Sequence, residues 1–389
     1  MGALAAVLVV LLGAPAAFAA GAPEPAPEAV LATIPFAKSA EANRVMVDMA
    51  PEGQRPFVMM VDTGANMSLV TPRMARELGI RVQALKGDFY RRPTRLGRDV
   101  QFIVDTTRSD TGARTSWEYG ALGGDFLDDY VLEIDFPKRT VRFLDPAKYQ
   151  VPEAVDDPSE RALPMKVVAS RPIVPIEVQG HALEVVLGTG VPMGVVLSGA
   201  AARAAGIEAQ SLSGSSDVGT SIGPMHTSFY EAPAFQFAGF ALGVVPMLVA
   251  PKGWYNQGAG NDSALGYDVL APFVVRIDYP RKRLWLKRMS SDPIRLAGAD
   301  YTLAKQSGAY MNPMPNGYAV WSVTPGSAAE KLGVRVGDVV VSSESNAAPP
   351  LDEVLHEILD GKELQVARKQ GDLWVDHVLP ESADDEPAD

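Results

Sequence analysis

Short-period alternation of apolar and polar residues dominates the chain and predicts strands more often than helices. Arg44 to Met49 alternates as a half-buried strand does, and Pro51-Glu52-Gly53 turns the chain into five consecutive apolar residues, Phe57 to Val61. That run ends on Asp62, followed by Thr63, Gly64, Ala65, a polar break, and a second apolar run closing at Thr71. The pattern predicts a buried strand, a tight turn and a second buried strand. An ionisable side chain at a strand tip with both flanks buried costs free energy unless it has a purpose or a partner. From Pro72 the period lengthens, and Pro near the start with Gly79 past the end predicts a short helix. Tyr130 to Phe143 reads as a hairpin: apolar strand, a turn at Asp135-Phe136-Pro137-Lys138-Arg139, apolar strand.

After an acidic, Pro-containing linker at 149–161 the pattern starts again. Ala162-Leu163-Pro164-Met165 echoes Ile34-Pro35-Phe36, Leu183 to Gly190 echoes the run through Asp62, and Ser198 to Ile207 echoes Thr71 to Ile80. Ala264 to Arg283 aligns without a gap on Ala121 to Thr140. Leu122, Gly123, Asp125, Leu127, Val131, Ile134, Asp135 and Pro137 recur as Leu265, Gly266, Asp268, Leu270, Val274, Ile277, Asp278 and Pro280. Such a match points to internal duplication. Gly188 stands where Asp62 stood, while Thr189 and Gly190 survive. Gly188-Thr189-Gly190 with Gly194 imitates a dinucleotide-binding fingerprint, but Pro192 and the run Val195-Val196-Leu197 replace the helix that would hold a pyrophosphate. From 300 to 380 a third unit follows, with a strand at Tyr318 to Val323, a turn and short helix over Thr324 to Gly333, an amphipathic helix over Leu351 to Leu359, and a strand at Leu364 to Arg368.

Composition bounds the rest. A chain of 389 residues can build two or three cores, and about half of its residues are apolar. The net charge of −12 argues against nucleic acid and anionic membrane surfaces as partners. With no Cys there is neither a disulfide nor a thiolate ligand. The four His are scattered, and His356-Glu357 lacks a second His at zinc spacing, so neither metal nor cofactor is expected. Gly2 to Leu12 is apolar, Pro15 breaks it, and Ala17-Phe18-Ala19 fits a small-x-small cleavage site. Residues 1–20 therefore read as a secretory leader and 21–31 as a mobile linker, which implies a secreted or periplasmic protein. An uncleaved N-terminal anchor is the other reading. The acidic tail 381–389 is expected to be disordered.

The stretch through Asp62 resembles the catalytic loop of the retropepsin-like aspartic peptidases, in which an apolar strand runs into Asp-Thr/Ser-Gly-Ala/Ser. Asp110-Thr111-Gly112-Ala113 repeats the letters, but Arg108 and Arg114 flank it and make it a surface turn. Ala121 to Leu127 resembles the family's second signature, apolar-Leu-Gly lying beneath the loop. The resemblance implies a mainly β fold with two tandem retropepsin-like acid-protease lobes, 32–148 and 162–290, the second degenerate. It implies Asp62 as the catalytic residue. Thr63, Gly64, Ala65, Gly188, Thr189 and Gly190 support the loop, and Leu122, Gly123, Leu265 and Gly266 lie beneath it. The Thr hydroxyls of the two loops bond across to the opposite backbone in this family, which Thr63 and Thr189 can still do. Lys86 to Trp117 falls where the family has its substrate-covering flap. Asp125 is read as a helix cap rather than a catalyst. The run V-x-P-G-S-A-A-x-x-x-G-V-x-x-G-D-x-V at Val323 to Val340 resembles a bacterial-type PDZ domain, an α+β fold that takes extended peptides by strand addition. Gly317, Tyr318, Ala319 and Val320 are the expected peptide-binding residues, a packing-only role being the other reading.

Aspartic peptidases use two carboxylates about 3 Å apart that share one proton. Asp62 alone supplies half of that. A second chain could bring its own Asp62 in a homodimer, although the second lobe already occupies that position. Another carboxylate could enter the cleft, or the cleft could bind peptides without cutting them. The expected function is an exported aspartic-type endopeptidase acting on a peptide or protein substrate, with the PDZ domain taking C-terminal peptides. The alternative is an inactive pseudo-peptidase serving as a binding scaffold.

Overall fold

In a computed structural model of the chain, residues 21–37, 43–80, 89–105, 120–208, 214–220, 223–250, 263–292, 294, 301–314, 317–341, 350–370 and 373–380 are described. The expected leader, the Asp110 turn, the two ends of the expected flap segment and the acidic tail lie outside them. Within Lys86 to Trp117, strands Tyr90–Pro93 and Asp99–Val104 form a hairpin.

The protein is mainly β, and two stretches repeat one pairing scheme. In the first, Val58–Val61 runs parallel to Gly120–Leu122, with Val61 opposite Leu122, and Leu69 lies antiparallel to Ala121 and parallel to Ile103. In the second, Leu187 lies parallel to Leu265, Val196 antiparallel to Ala264 and parallel to Leu248. The helices that follow match as well. Thr71 caps Pro72–Glu77 by accepting from Met74 N at 3.2 Å, and Ser198 caps Gly199–Ala204 by accepting from Ala201 N at 3.1 Å. Each cap satisfies one of the amides that a helix start leaves without an intrahelical acceptor.

The two stretches meet in a six-stranded sheet. Its centre pairs Val131–Asp135 antiparallel with Phe273–Asp278; Thr140–Leu144 and Arg283–Arg288 flank them, and Val30–Pro35 and Glu160–Pro164 close the edges. Buried in this sheet, Arg276 bonds Glu133 at 2.6 Å and stacks over Trp285, with its guanidinium carbon 4.1 Å from the ring centroid. A buried guanidinium persists when a carboxylate and ring faces replace its water.

Both expected linkers pack against the fold, and the first is not the mobile segment its composition suggests. Pro27–Ala29 is a short 3-10 helix, and Ala29, Tyr149, Val151 and Trp285 share one core cluster. Val151 N donates to the Asp278 carboxylate at 3.1 Å. Their polar composition is that of a linker, but these segments find their partners elsewhere in the fold.

The C-terminal unit is a five-stranded antiparallel sheet ordered Ala309–Met314, Gly317–Val323, Val339–Val341, Leu364–Gln370, Leu373–Leu379, with helices Tyr301–Ser307, Ala328–Leu332 and Leu351–Asp360. Its core is continuous with Ile173, Val186, Val191, Met193, Val196 and Leu248, so it is fixed on one face of the eight-stranded sheet of the second stretch. Strand Gly317–Val323 is interior: Gly317 pairs with both Met314 and Val341. The expectation that Gly317, Tyr318, Ala319 and Val320 receive an added peptide strand is therefore corrected, since both edges there already carry backbone partners. The edges of this sheet are Ala309–Met314 and Leu373–Leu379.

Candidate active site

The loops after Val61 and Leu187 face one another, and their threonines exchange hydrogen bonds. Thr63 Oγ1 donates to Leu187 O at 2.5 Å, and Thr189 Oγ1 donates to Val61 O at 2.6 Å. Thr63 N and Thr189 N each donate to the other residue's Oγ1 at 3.1 Å. Both threonines are fully buried. Four satisfied polar groups at one buried contact fix the two loops rigidly, because leaving any of them unpaired costs its desolvation.

The backbones of the two loops match group for group. Asp62 N donates to Leu122 O at 3.0 Å and Gly188 N to Leu265 O at 2.9 Å; Ala65 N donates to Asp62 O at 3.1 Å and Val191 N to Gly188 O at 3.0 Å. Leu122 and Leu265 are fully buried, and Gly123 and Gly266 let the loops lie close. A Cβ on Gly123 would meet Met67 O at 2.5 Å, and one on Gly266 would meet Met193 O at 2.0 Å. Gly124 N and Tyr267 N then donate to Ala65 O and Val191 O, both at 2.8 Å.

The side chains break the symmetry. Asp62 is partly exposed, and its Oδ1 accepts from Gly64 N at 2.9 Å. Its carboxylate lies against Gly190, where a Cβ would stand 2.4 Å from Oδ2. Gly190 is thus held to glycine by contact, while Gly188 is not, because a Cβ there would meet Val191 Cγ2 at 3.3 Å and nothing else closer than 3.8 Å. Asp125 is not a helix cap, which corrects that expectation. Gly123 occupies the cap position, and Asp125 Oδ1 accepts from Ser68 N and Ser68 Oγ, both at 2.7 Å.

Sequence reasoning missed three residues around the loops. Arg44, 5% exposed, donates to the Gly190 carbonyl, and Asn43 Nδ2 donates to Pro192 O at 3.1 Å, so both reach from the first stretch to the second loop. A repeated arginine was the available signal: Arg171, fully buried, opens strand Arg171–Val178 as Arg44 precedes Met46–Asp48. Tyr279 is also enclosed. Burial pushes its phenol far above the ordinary value, and the charges of Asp128 and Asp62 act the same way. Among the described residues no group of three His, Asp or Glu side chains is placed to hold a metal ion.

A family model described as aspartyl protease matches residues 45–90 and 174–269. Together these segments are under half of the chain, and they contain both loops. The match supports an aspartyl-protease fold and a peptidase-type function for this protein. Among solved structures, a retropepsin-like aspartic protease from Rickettsia conorii is 18% identical, with a TM-score of 0.27, over 33% of this chain and 90% of that one. No curated protein matches.

Chemically, the two loops bring one carboxylate of their own, Asp62, fixed by a backbone amide, to the place where they meet. A carboxylate so placed can take a proton from a water molecule. The opposing position, Gly188, offers only backbone.

Proposed function

We propose that the chain is an exported aspartic-type endopeptidase of two retropepsin-like lobes, with Asp62 as its acid/base residue. The observation that carries this reading is the reciprocal Thr63–Thr189 bonding, which holds Asp62 at the junction of two loops of identical backbone pattern. Thr63 finds its partners in Leu187 and Thr189 of the same chain, so the position a second subunit would fill is taken; this favours a monomeric site. Asp62 would activate water against a substrate carbonyl. The C-terminal unit is read as PDZ-like, and a peptide strand would add at an edge of its sheet.

Cleavage of an unfolded protein at mildly acidic pH tests the reading. Asp62→Asn should reduce turnover to background, and unchanged turnover in that variant would remove Asp62 from the mechanism. Gly188 favours a second reading, a peptide-binding scaffold that does not cut, because a shared proton needs two carboxylates. A wild-type chain that binds extended peptides and leaves them intact would establish that alternative.

A further inference from the structure

Arg44 and Asp62 share a neighbour. Arg44 Nη1 donates to the Gly190 carbonyl and lies 3.8 Å from the sulfur of Met60, two residues before Asp62 on the same apolar run. Gly190 is also the residue on which the Asp62 carboxylate rests, since a Cβ there would stand 2.4 Å from Oδ2 and 2.5 Å from Oδ1. A carbonyl oxygen lies about 2.4 Å from its own Cα. The path from guanidinium to carboxylate through Gly190 is therefore at most about 9 Å long. Arg44 is buried, and a buried charge is screened far less by salt and solvent than a surface one.

The other elements packed around the Asp62 loop bring these titratable groups. The facing loop, Gly188 to Pro192, has none. From helix Gly124–Leu127 and the residue after it come two acids that are already engaged: Asp125 accepts from Ser68, and Asp128 accepts from Ser170 Oγ at 2.7 Å. The turn that holds Ser170 brings Arg171, which is fully buried, and the Ser170 carbonyl lies against Gly124. Tyr279 stays neutral, because burial raises its phenol far above the ordinary value. A carboxylate near a cation keeps its charge to lower pH, and the hydrogen bond from Gly64 N acts in the same direction.

We propose that Arg44 is the positioning residue that holds Asp62 as a carboxylate, so that Asp62 works beside a cation where its counterpart, Gly188, supplies no acid. This deepens the peptidase reading and rests on it for the chemistry alone. Asp62 takes a proton from water while the water oxygen bonds to the substrate carbonyl carbon and the carbonyl pair moves onto its oxygen. When that pair re-forms the C=O bond and the C–N bond breaks, the same proton passes from Asp62 to the departing nitrogen. A base that is ionised at the start carries the proton through both steps. An Arg44 that merely strapped the first stretch to the second loop would change stability and leave the titration of Asp62 where it was.

The test is an NMR titration of the full chain carrying carbon-13 at its aspartate carboxyls, with the Asp62 signal assigned by its loss in Asp62→Asn. In Arg44→Gln the Asp62 midpoint should move up by about one pH unit, a tenfold tighter proton, the order expected for unit charges about 9 Å apart at an effective dielectric near 20. Arg44→Lys should bring the midpoint back toward that of the wild type. An unmoved midpoint in folded Arg44→Gln would overturn the proposal, whatever becomes of cleavage. If Arg44→Gln does not fold, the wild-type midpoint decides: a value below the ordinary Asp value of about 3.9 supports the proposal, and a value at or above it refutes it. A wild-type chain that cuts nothing removes the peptidase reading and leaves the titration result standing. Where the chain does cut, the acid limb of its pH profile should follow the Asp62 midpoint upward in Arg44→Gln.

Discussion

Gly188→Asp puts a second carboxylate where the pairing scheme has room for one. The Cβ would meet Val191 Cγ2 at 3.3 Å, Ala264 Cβ at 3.8 Å and Leu265 O at 3.8 Å, so only one rotatable methyl must yield, by a few tenths of an ångström. Gly188 is not among the glycines with left-handed φ, and the matching Asp62 backbone already carries an Asp. Removing a glycine at such a site contributes about 0.4–1 kcal/mol through the unfolded chain. Two facing carboxylates cannot both ionise, so the folded pair holds one proton more tightly than a free Asp does. A carboxyl raised in this way contributes its stability below the unfolded pKa and loses it as pH rises through the folded value. The loss at neutral pH is about 1.4 kcal/mol for each tenfold tightening of that proton. The two effects nearly cancel, and the variant should fold with close to wild-type stability, better at pH 4 than at pH 7. A positioned general acid contributes about 10²–10⁴-fold, so cleavage of an unfolded protein near pH 4–5 should rise by at least about 10² and fall again toward neutrality. Gly188→Ala, which adds the Cβ alone, should give no gain. A folded, peptide-binding Gly188→Asp chain with unchanged turnover would refute the reasoning that the missing carboxylate is what limits the site.

Thr189→Val keeps the shape but leaves Val61 O and Thr63 N unsatisfied in a buried place; at about 1–3 kcal/mol per group, a loss of about 2–6 kcal/mol is expected by denaturant titration. Adding Thr63→Val should cost less than its single-variant effect, because the two share one network. In the C-terminal unit, Asp338 is 1% exposed and bonds Arg368 Nε at 2.8 Å, so Arg368→Met, by stranding a buried charge, should cost about 3–5 kcal/mol in thermal or chemical unfolding. Burial acts to raise the Glu24 carboxyl, but the hydrogen bond from Arg142 and the charges of Arg276 and Arg142 hold it below its ordinary value. Its contribution is therefore present above the unfolded pKa and lost as pH falls through the folded one, and Glu24→Gln should remove that part of the acid-side decline in melting temperature.

The repeated pattern was legible as an ungapped series, Leu122 to Pro137 against Leu265 to Pro280, and those stretches take up equivalent strands and turns. The strand–turn–strand through Asp62 was equally plain, since an apolar run on both sides of a polar tip has few other folded solutions. What stayed hidden depended on distant partners. Pro23 and Glu24 read as linker because Arg276 and Arg142, which hold them, lie more than a hundred residues away. Asp125 looked like a cap from local spacing, and its acceptor role toward Ser68 arises only once two strands cross. The PDZ resemblance put peptide binding at Gly317–Val320, but a sequence motif does not give a strand its neighbours, and strand order decides which edges are open.

The central pairing of Asp135, Ile134 and Glu133 with Val274, Val275 and Arg276 makes each half the other's missing neighbour. Either half expressed alone would present a raw, buried-type border lined with unused amides and carbonyls, the surface on which strands recruit copies of themselves. Such fragments should self-associate or precipitate, whereas co-expressing them should restore a soluble heterodimer. The molecule is in this sense an obligate pair written on one polypeptide.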